Sequence, residues 1–170
     1  MGSSSDQARS KLALYIVLTA LVFVLQRWVL NRLELGGIVP QLMPFAVTAV
    51  AMLEGSRPGA WFGLGTGLVA GLMTEGASLI WFYALLGALW GGTRNKLMGG
   101  TFPGYLLCAL GSILLLEGGT LLWGLAFAGE ELAAMVPIAL AEGGWSMDFA
   151  PLLYLPYWLI DRRIPADLRW

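Results

Sequence analysis

The sequence holds few side chains that can carry out acid–base, nucleophilic or metal chemistry. Histidine is absent, so the commonest metal ligand and the usual base beside a catalytic nucleophile are both missing. The single cysteine, Cys108, lies in the apolar run LLCALG, where a cysteine most often acts as a small buried hydrophobe. No D-x-x-D or Glu-x-x-His arrangement pairs the carboxylates. We therefore expect a protein that is not an enzyme, with no catalytic residues, no metal and no cofactor.

Glu117 is the ionisable residue nearest the middle of a long apolar segment, LLLEGGTLLWG. A carboxylate within a membrane is expensive and normally faces the protein interior or a wet cavity, so it is a candidate site residue by default. Gly118, Gly119 and Thr120 beside it predict a crowded or slightly opened helix at this point. Two interpretations stay open, a binding role and a glutamate that only hydrogen-bonds helices to one another.

The composition indicates that these residues lie in a membrane. Hydrophobic residues make up 58% of the 170 residues and charged ones 12%, a profile in which apolar stretches of bilayer length are expected. The formal net charge of −1 leaves no basic face for nucleic acid. The chain is predicted to be all-α, with one transmembrane domain over 11–160 between short cytoplasmic tails, 1–10 and 161–170.

Six apolar segments are long enough to predict a bundle of six transmembrane helices. They run over about residues 12–30, 40–55, 56–76, 77–92, 102–128 and 145–160. The last apolar run of the chain, about 132–160, is interrupted at Gly143, Gly144, Asp148 and several prolines, which predicts a short interfacial or buried helix ahead of the sixth span. Glu142 and Asp148 flank this predicted break and are weaker candidates for a polar site.

The third predicted helix, RPGAWFGLGTGLVAGLMTEG, has a glycine at every fourth position: Gly59, Gly63, Gly67 and Gly71. Glycine in a water-exposed helix interior costs about 1 kcal/mol relative to alanine. In hydrocarbon, however, small residues at this spacing let two helix backbones approach closely. The next helix repeats the spacing at Gly87 and Gly91. These glycines either pack the bundle internally or form a groove for the helix of a partner.

The lysines and arginines predict how the chain crosses the membrane, because they concentrate in cytoplasmic loops. With the N-terminus inside, the cytoplasmic side carries Arg9, Lys11, Arg57, Arg94, Lys96, Arg162, Arg163 and Arg169. The outer side carries only Arg27 and Arg32. The polar, basic start predicts an uncleaved first span rather than a signal peptide. We expect a multi-pass protein of the bacterial cytoplasmic membrane with both termini in the cytoplasm.

The middle of the chain resembles the MreD family of rod shape-determining integral membrane proteins of bacteria. The resemblance is carried by a Pro-led second helix, the run LEGSRPGAWFGLGTGLVAGL, a short glycine-bounded loop and an aromatic fourth helix. Members usually have an arginine and a glycine after a short loop, and the loop motif Arg57, Pro58 and Gly59 matches them. The closing AEGGWSMDFAPLLYLPYWLIDRR is similar to the last helix of that family.

A second part of the family pattern lies in the glycine ladder. The G-x-x-x-G-L core matches at Gly63, Gly67 and Leu68. Family members often carry an aspartate four residues after the second glycine, where this chain has Gly71. The difference removes a polar role from the third helix and keeps its packing role.

The resemblance implies a non-enzymatic scaffold for rod shape. MreD-like proteins adopt a six-helix bundle similar to the substrate-binding subunits of energy-coupling-factor vitamin transporters. They bind the bitopic protein MreC and work with other membrane proteins of the elongation machinery, or elongasome, for peptidoglycan synthesis. The alternative is such a transporter subunit itself, which often docks its coupling protein through A-x-x-x-A on the first helix. Here Ala13 and Ala20 are seven residues apart, which favours the scaffold.

Overall fold

A computed structural model describes residues 4–28, 32, 39–74, 78–94, 100–128, 132–165 and 168. These residues form helices and connecting turns, with no strand among them, so the predicted all-α class is confirmed. The α-helices are α1 (Ser4–Trp28), α2 (Met43–Glu54), α3 (Ser56–Thr74), α4 (Ser78–Gly92), α5 (Phe102–Trp123), α6 (Leu132–Met147) and α7 (Ala150–Arg163). A π-helical turn, Gly124–Ala128, continues α5.

Two of the described helices are long and apolar enough to cross a membrane. They cover Asp6–Trp28 and Phe102–Phe127, each with a mean hydropathy of 1.8 in its most apolar window. The helices α2 and α4 are also apolar but shorter, with 12 and 15 residues. At 1.5 Å per residue, these two helices extend about 18 and 22 Å.

The helix α2 forms the centre of the fold. All twelve of its residues are buried, and it contacts α1, α3, α4, α5 and α7. Pro44 lies in its first turn, where the missing N–H has no intrahelical acceptor to lose. Farther along, the Thr48 hydroxyl shares a 2.7 Å hydrogen bond with the Ser112 hydroxyl of α5. The Thr48 and Ser112 hydroxyls also lie 2.7 Å from the carbonyl oxygens of Pro44 and Cys108, so the bond between them links α2 to α5 in addition to these backbone contacts.

A single residue, Gly55, joins α2 to α3. Its φ of +104° lies in the region that side-chain-bearing residues rarely adopt. Because the turn needs only this glycine, α3 begins at Ser56. Arg57 and Pro58, predicted as a loop motif, therefore lie in the first turn of α3, with Arg57 exposed and Pro58 buried.

The chain breaks between α6 and α7, but five residues later than predicted. The helix α6 continues through Gly143 and Gly144, and the turn falls at Asp148 and Phe149. A Cβ atom on Gly143 would lie 2.9 Å from Cγ2 of Ile113 on α5. This glycine therefore lets α5 and α6 approach each other, and it does not end the helix.

Hydrogen bonds define two ends of the helix bundle. At the first, which we call the ion-pair end, Lys11 of α1 contacts Glu54 of α2 and Asp161 of α7. At the opposite end, the Gln26 side chain accepts a hydrogen bond from the backbone N–H of Leu42. The start of α1 and the last turns of α2 and α7 thus lie together.

Candidate functional site

The glycine ladder of α3 faces α4. A Cβ atom on Gly63 would overlap the backbone carbonyl of Tyr83, while one on Gly59 or Gly67 would come within 2.7 Å of a carbonyl oxygen of α4. Real Cβ atoms do not approach backbone this closely, so glycine is required at each of the three positions. The ladder is the surface through which two helix backbones touch.

The glycines of α4 complete the same interface. A Cβ atom on Gly87 would overlap the carbonyl of Gly59, and one on Gly91 would overlap the carbonyl carbon of Gly55. Gly71, the last member of the ladder, is buried. Of the two interpretations of the ladder, these contacts support internal packing over a groove for a partner, because α4 occupies the space that a partner's helix would need.

Glu117 lies between α5 and α6. Its side chain is buried, with 7% of the residue exposed, and Oε1 has no hydrogen-bond partner among the described residues. A Cβ atom on Gly143 of α6 would lie 4.0 Å from its Cγ. Gly118 and Gly119 face open space, and α5 stays α-helical past them. The expected crowding or opening at this point is therefore wrong, and the π-helical turn begins only at Gly124.

A polar cavity lies at the opposite end of the bundle, with a volume of about 380 Å³. Its polar lining residues are Gln26, Arg27, Gln41, Thr120 and Glu142. Glu142, the weaker candidate in the sequence, is on this lining, whereas Glu117 is not. Asp148 is exposed in the turn after α6 and does not line the cavity.

A buried ion-pair cluster at the ion-pair end escaped the sequence analysis. Glu54 Oε1 lies 2.5 Å from Lys11 Nζ, which also contacts Asp161 Oδ1 at 2.6 Å. The side chains of Lys11 and Glu54 are only 2% and 1% exposed. The Tyr15 hydroxyl donates a 2.9 Å hydrogen bond to Glu54 Oε1, and the Leu168 N–H donates a 3.2 Å bond to Oε2. The cluster joins α1, α2, α7 and the segment beyond α7.

The signal for this cluster was present in the sequence but was indirect. Lys11 stands near the start of the first apolar segment, and Glu54 and Asp161 stand at the ends of two others. Alternating direction of the six predicted spans brings those three ends to the same side of the bundle. Residue spacing alone cannot reveal the pairing, because Lys11 and Asp161 are 150 residues apart.

An apolar groove of about 510 Å³ separates α1 from α3. Residues of α1 on its wall are Leu12, Ile16, Thr19, Ala20, Phe23 and Val24, and residues of α3 are Pro58, Trp61, Phe62, Gly65, Thr66 and Val69. Gly65 has open space where a side chain would extend, and Trp61 is 67% exposed. At the ion-pair end, Leu168 also contributes to the wall.

The other side of α1 carries an uncovered apolar stripe. Leu14, Val17, Leu21, Leu25 and Trp28 recur at spacings of three or four residues, so they lie along one helix face. Each is at least 43% exposed. We call this set the α1 stripe.

The polar cavity, the apolar groove and the α1 stripe are the surfaces suited to another molecule. Within the part of the chain that the structure describes, no group of three or more cysteine, aspartate or glutamate side chains can hold a metal ion. Comparisons of the chain with known protein families, with curated proteins and with solved structures find no match.

Proposed function

We propose that the protein is a non-enzymatic scaffold of the bacterial cytoplasmic membrane that binds the single transmembrane helix of an MreC-like partner in the cell-elongation machinery. The observation that carries the proposal is the α1 stripe. An apolar stripe with spacings of three and four residues is the pattern by which one helix packs along another. The resemblance of the residues in α2 to α4 to the MreD family is the reason for proposing an MreC-like partner and a role in maintaining rod shape.

The proposal places six spans in the bilayer. The spans of α1 and α5 are supported by length and hydropathy. The shorter α2, α3, α4 and α7 surround or form the buried centre, and short spans are tolerated where neighbouring helices shield their ends. In this arrangement the ion-pair end faces the cytoplasm. Arg57 follows Glu54 by three residues and Arg162 follows Asp161 directly, and basic residues concentrate on the cytoplasmic side.

The α1 stripe suits a partner helix because α1 is packed on one side only. It contacts α2 and α7 through a face that contains Tyr15 and Val22, both buried. Val17 and Leu21, on the outer side, are 57% and 62% exposed. Association inside a bilayer depends on close packing rather than on a hydrophobic drive. A helix of 25 residues with one uncovered apolar face offers the extended contact that such packing requires.

Site-directed photo-crosslinking tests this proposal. A photo-reactive amino acid at Leu21 should crosslink a single-span protein in native membranes, and mass spectrometry of the product should identify an MreC-like sequence. Leu107 of α5, which is 65% exposed, is the matched control and should not yield this product. Loss of the partner or of this protein should make rod-shaped cells round. Equal crosslinking from both positions would remove the α1 stripe as the binding face.

The alternative function is the substrate-binding subunit of an energy-coupling-factor vitamin transporter, and the polar cavity favours it. A volume of about 380 Å³ with Arg27, Gln41 and Glu142 on its wall is the size and character of a small-molecule site. Mass spectrometry of molecules released from the purified protein separates the two functions. The scaffold proposal expects no stoichiometric vitamin, whereas one vitamin per chain together with a co-purified ATPase module would replace it with the transporter.

A further inference from the structure

We propose that the groove between α1 and α3 binds one acyl chain of an anionic phospholipid, whose phosphate is held at the ion-pair end by Arg9 and Arg57. The groove lies on the other side of α1 from the α1 stripe. The inference therefore goes beyond the proposed function and does not depend on the partner protein.

The length of the groove selects a lipid over a transmembrane helix. Its wall on α1 runs from Leu12 to Val24, a distance of about 18 Å along the helix axis at 1.5 Å per residue. One leaflet contributes about half of the 30 Å hydrocarbon core, whereas a partner's span must cross all of it. The groove therefore matches the depth that an acyl chain occupies in one leaflet.

The wall of the groove has the chemistry that an acyl chain needs. Its α1 side is formed by Ile16, Phe23 and Val24, and its α3 side by Trp61 and Val69. The hydroxyls within it are already bonded. Thr19 donates to the Tyr15 carbonyl at 2.8 Å, and Thr66 donates to the Phe62 carbonyl at 2.8 Å. An apolar chain thus covers the groove without leaving a polar group of the wall unpaired.

Two exposed arginines continue the groove at the ion-pair end. Arg9 lies three residues before Leu12 and seven before Ile16, so it is on the same face of α1 as the groove wall. Arg57 lies four residues before Trp61 and eight before Gly65 on α3. Both arginines are exposed. Arginine binds phosphate oxygens through paired N–H groups, and basic sites between helices bind anionic headgroups.

Trp61 supports this placement of the headgroup. It lines the groove within about one turn of Arg57 and is 67% exposed. Tryptophan is enriched where hydrocarbon meets headgroups, because its ring is apolar and its indole N–H donates a hydrogen bond. The three side chains mark the level at which the lipid phosphate lies.

Lipid titration followed by native mass spectrometry tests the headgroup contacts. The full-length protein in detergent should bind phosphatidylglycerol more tightly than phosphatidylcholine. The Arg9→Gln/Arg57→Gln protein should lose about fivefold of its phosphatidylglycerol affinity per arginine, from about 1 kcal/mol for each basic residue at the membrane surface. Arg162→Gln/Arg163→Gln removes the same charge from the last turn of α7 and should leave the affinity unchanged. An equal loss in this control would overturn the headgroup assignment.

Filling the groove tests the acyl-chain contact. The Gly65→Leu side chain enters open space in the groove, so the protein should fold normally and lose phosphatidylglycerol and phosphatidylcholine alike. Gly119→Leu on α5 also enters open space, outside the groove, and should bind lipid as before. Undiminished lipid binding by Gly65→Leu would overturn the proposal. If that variant instead releases a co-purified single-span protein, the groove is a helix site.

Discussion

Glu54 is a buried carboxylate that accepts hydrogen bonds from three donors, two on α1 and one beyond α7. Lys11 and Tyr15 bind one of its oxygens, and the Leu168 N–H binds the other. Removing a charge of this kind from water costs several kcal/mol, which only a close partner of opposite charge and further hydrogen bonds can offset. The ion-pair cluster is therefore stable when complete and costly when one member is missing.

Removing one partner from the cluster should destabilise the protein more than removing two. Lys11→Met leaves Glu54 charged and buried, so we expect a loss of about 3–5 kcal/mol in the free energy of unfolding. Lys11→Met/Glu54→Gln should recover most of this loss, because the amide carries no charge, and its oxygen can accept from the Leu168 N–H while its NH2 group donates to the Tyr15 hydroxyl oxygen. Thermal unfolding of the purified proteins measures both. A double variant no more stable than the single one would show that the charge is not the cause.

Replacing Glu117 by an apolar residue should not destabilise the protein, in contrast to a substitution in the ion-pair cluster, because no described group forms a hydrogen bond with Glu117 Oε1. A buried polar atom without a partner destabilises the fold. We expect Glu117→Leu to unfold at the same temperature as the native protein or a higher one, and Glu117→Gln to unfold at a lower temperature than Glu117→Leu. If leucine proves the less stable substitution, the glutamate stabilises the bundle through bonds to its neighbours.

The contact between α3 and α4 gives a prediction at the scale of elements. Gly63→Leu drives a side chain into the backbone of α4, whereas Gly65→Leu, two residues along the same helix, meets open space. Overpacking costs about 1–3 kcal/mol where side chains can shift, and more is expected where the obstacle is backbone. The amount of monodisperse protein in the membrane should fall for Gly63→Leu and for the Gly63→Leu/Gly67→Leu pair. It should be unchanged for Gly65→Leu.

Equal abundance of these variants would mean that α3 and α4 separate freely. The same three variants show whether the ladder binds a partner protein. If it does, the Gly63→Leu variants should remain as abundant as the native protein but should no longer co-purify with the partner.

The elements themselves were largely predictable, since hydrophobic runs and their breakers are local. The order Glu54, Gly55, Ser56 marks the end of one helix and the start of the next, and the structure has its boundary there. The helix break predicted at Gly143 was wrong. The sequence does not distinguish a glycine that ends a helix from one that lets a neighbouring helix approach. The residues of the ladder were recognised, but periodicity says which residues share a face and not which helix covers them.

The candidate sites were less predictable than the helices. Glu142 lines a cavity that α1, α2, α3, α4, α5 and α6 enclose together, so no single segment of sequence contains it. The partners of Lys11 lie on α2 and α7. The outcome at each site depends on the assembly of several helices, which local propensity does not encode.

The orientation of the whole protein in the membrane can be tested by thiol labelling. In a Cys108→Ser background, an impermeant thiol reagent added outside the cell should leave Ser5→Cys unlabelled and should label Gly129→Cys. The physical reason is the excess of lysine and arginine in the loops on the side of the N-terminus. Gly129 lies outside the described residues, and Ser5 is in the first turn of α1. Labelling in the reverse pattern would invert the proposed topology and move Arg9 and Arg57 to the outer leaflet.

The ion-pair cluster can be completed only when synthesis of the chain is nearly finished. Lys11 is made 150 residues before Asp161, and Glu54 is made 114 residues before Leu168. At about 5–20 residues per second, the first of these intervals lasts about 8–30 s. From the synthesis of Glu54 until that of Asp161, the nascent chain carries this lysine and this glutamate without the partners that α7 and the segment beyond it supply. A chain truncated before residue 161 therefore lacks the carboxylate that Lys11 contacts on α7 and the N–H that donates to Glu54, so its polar end stays incomplete.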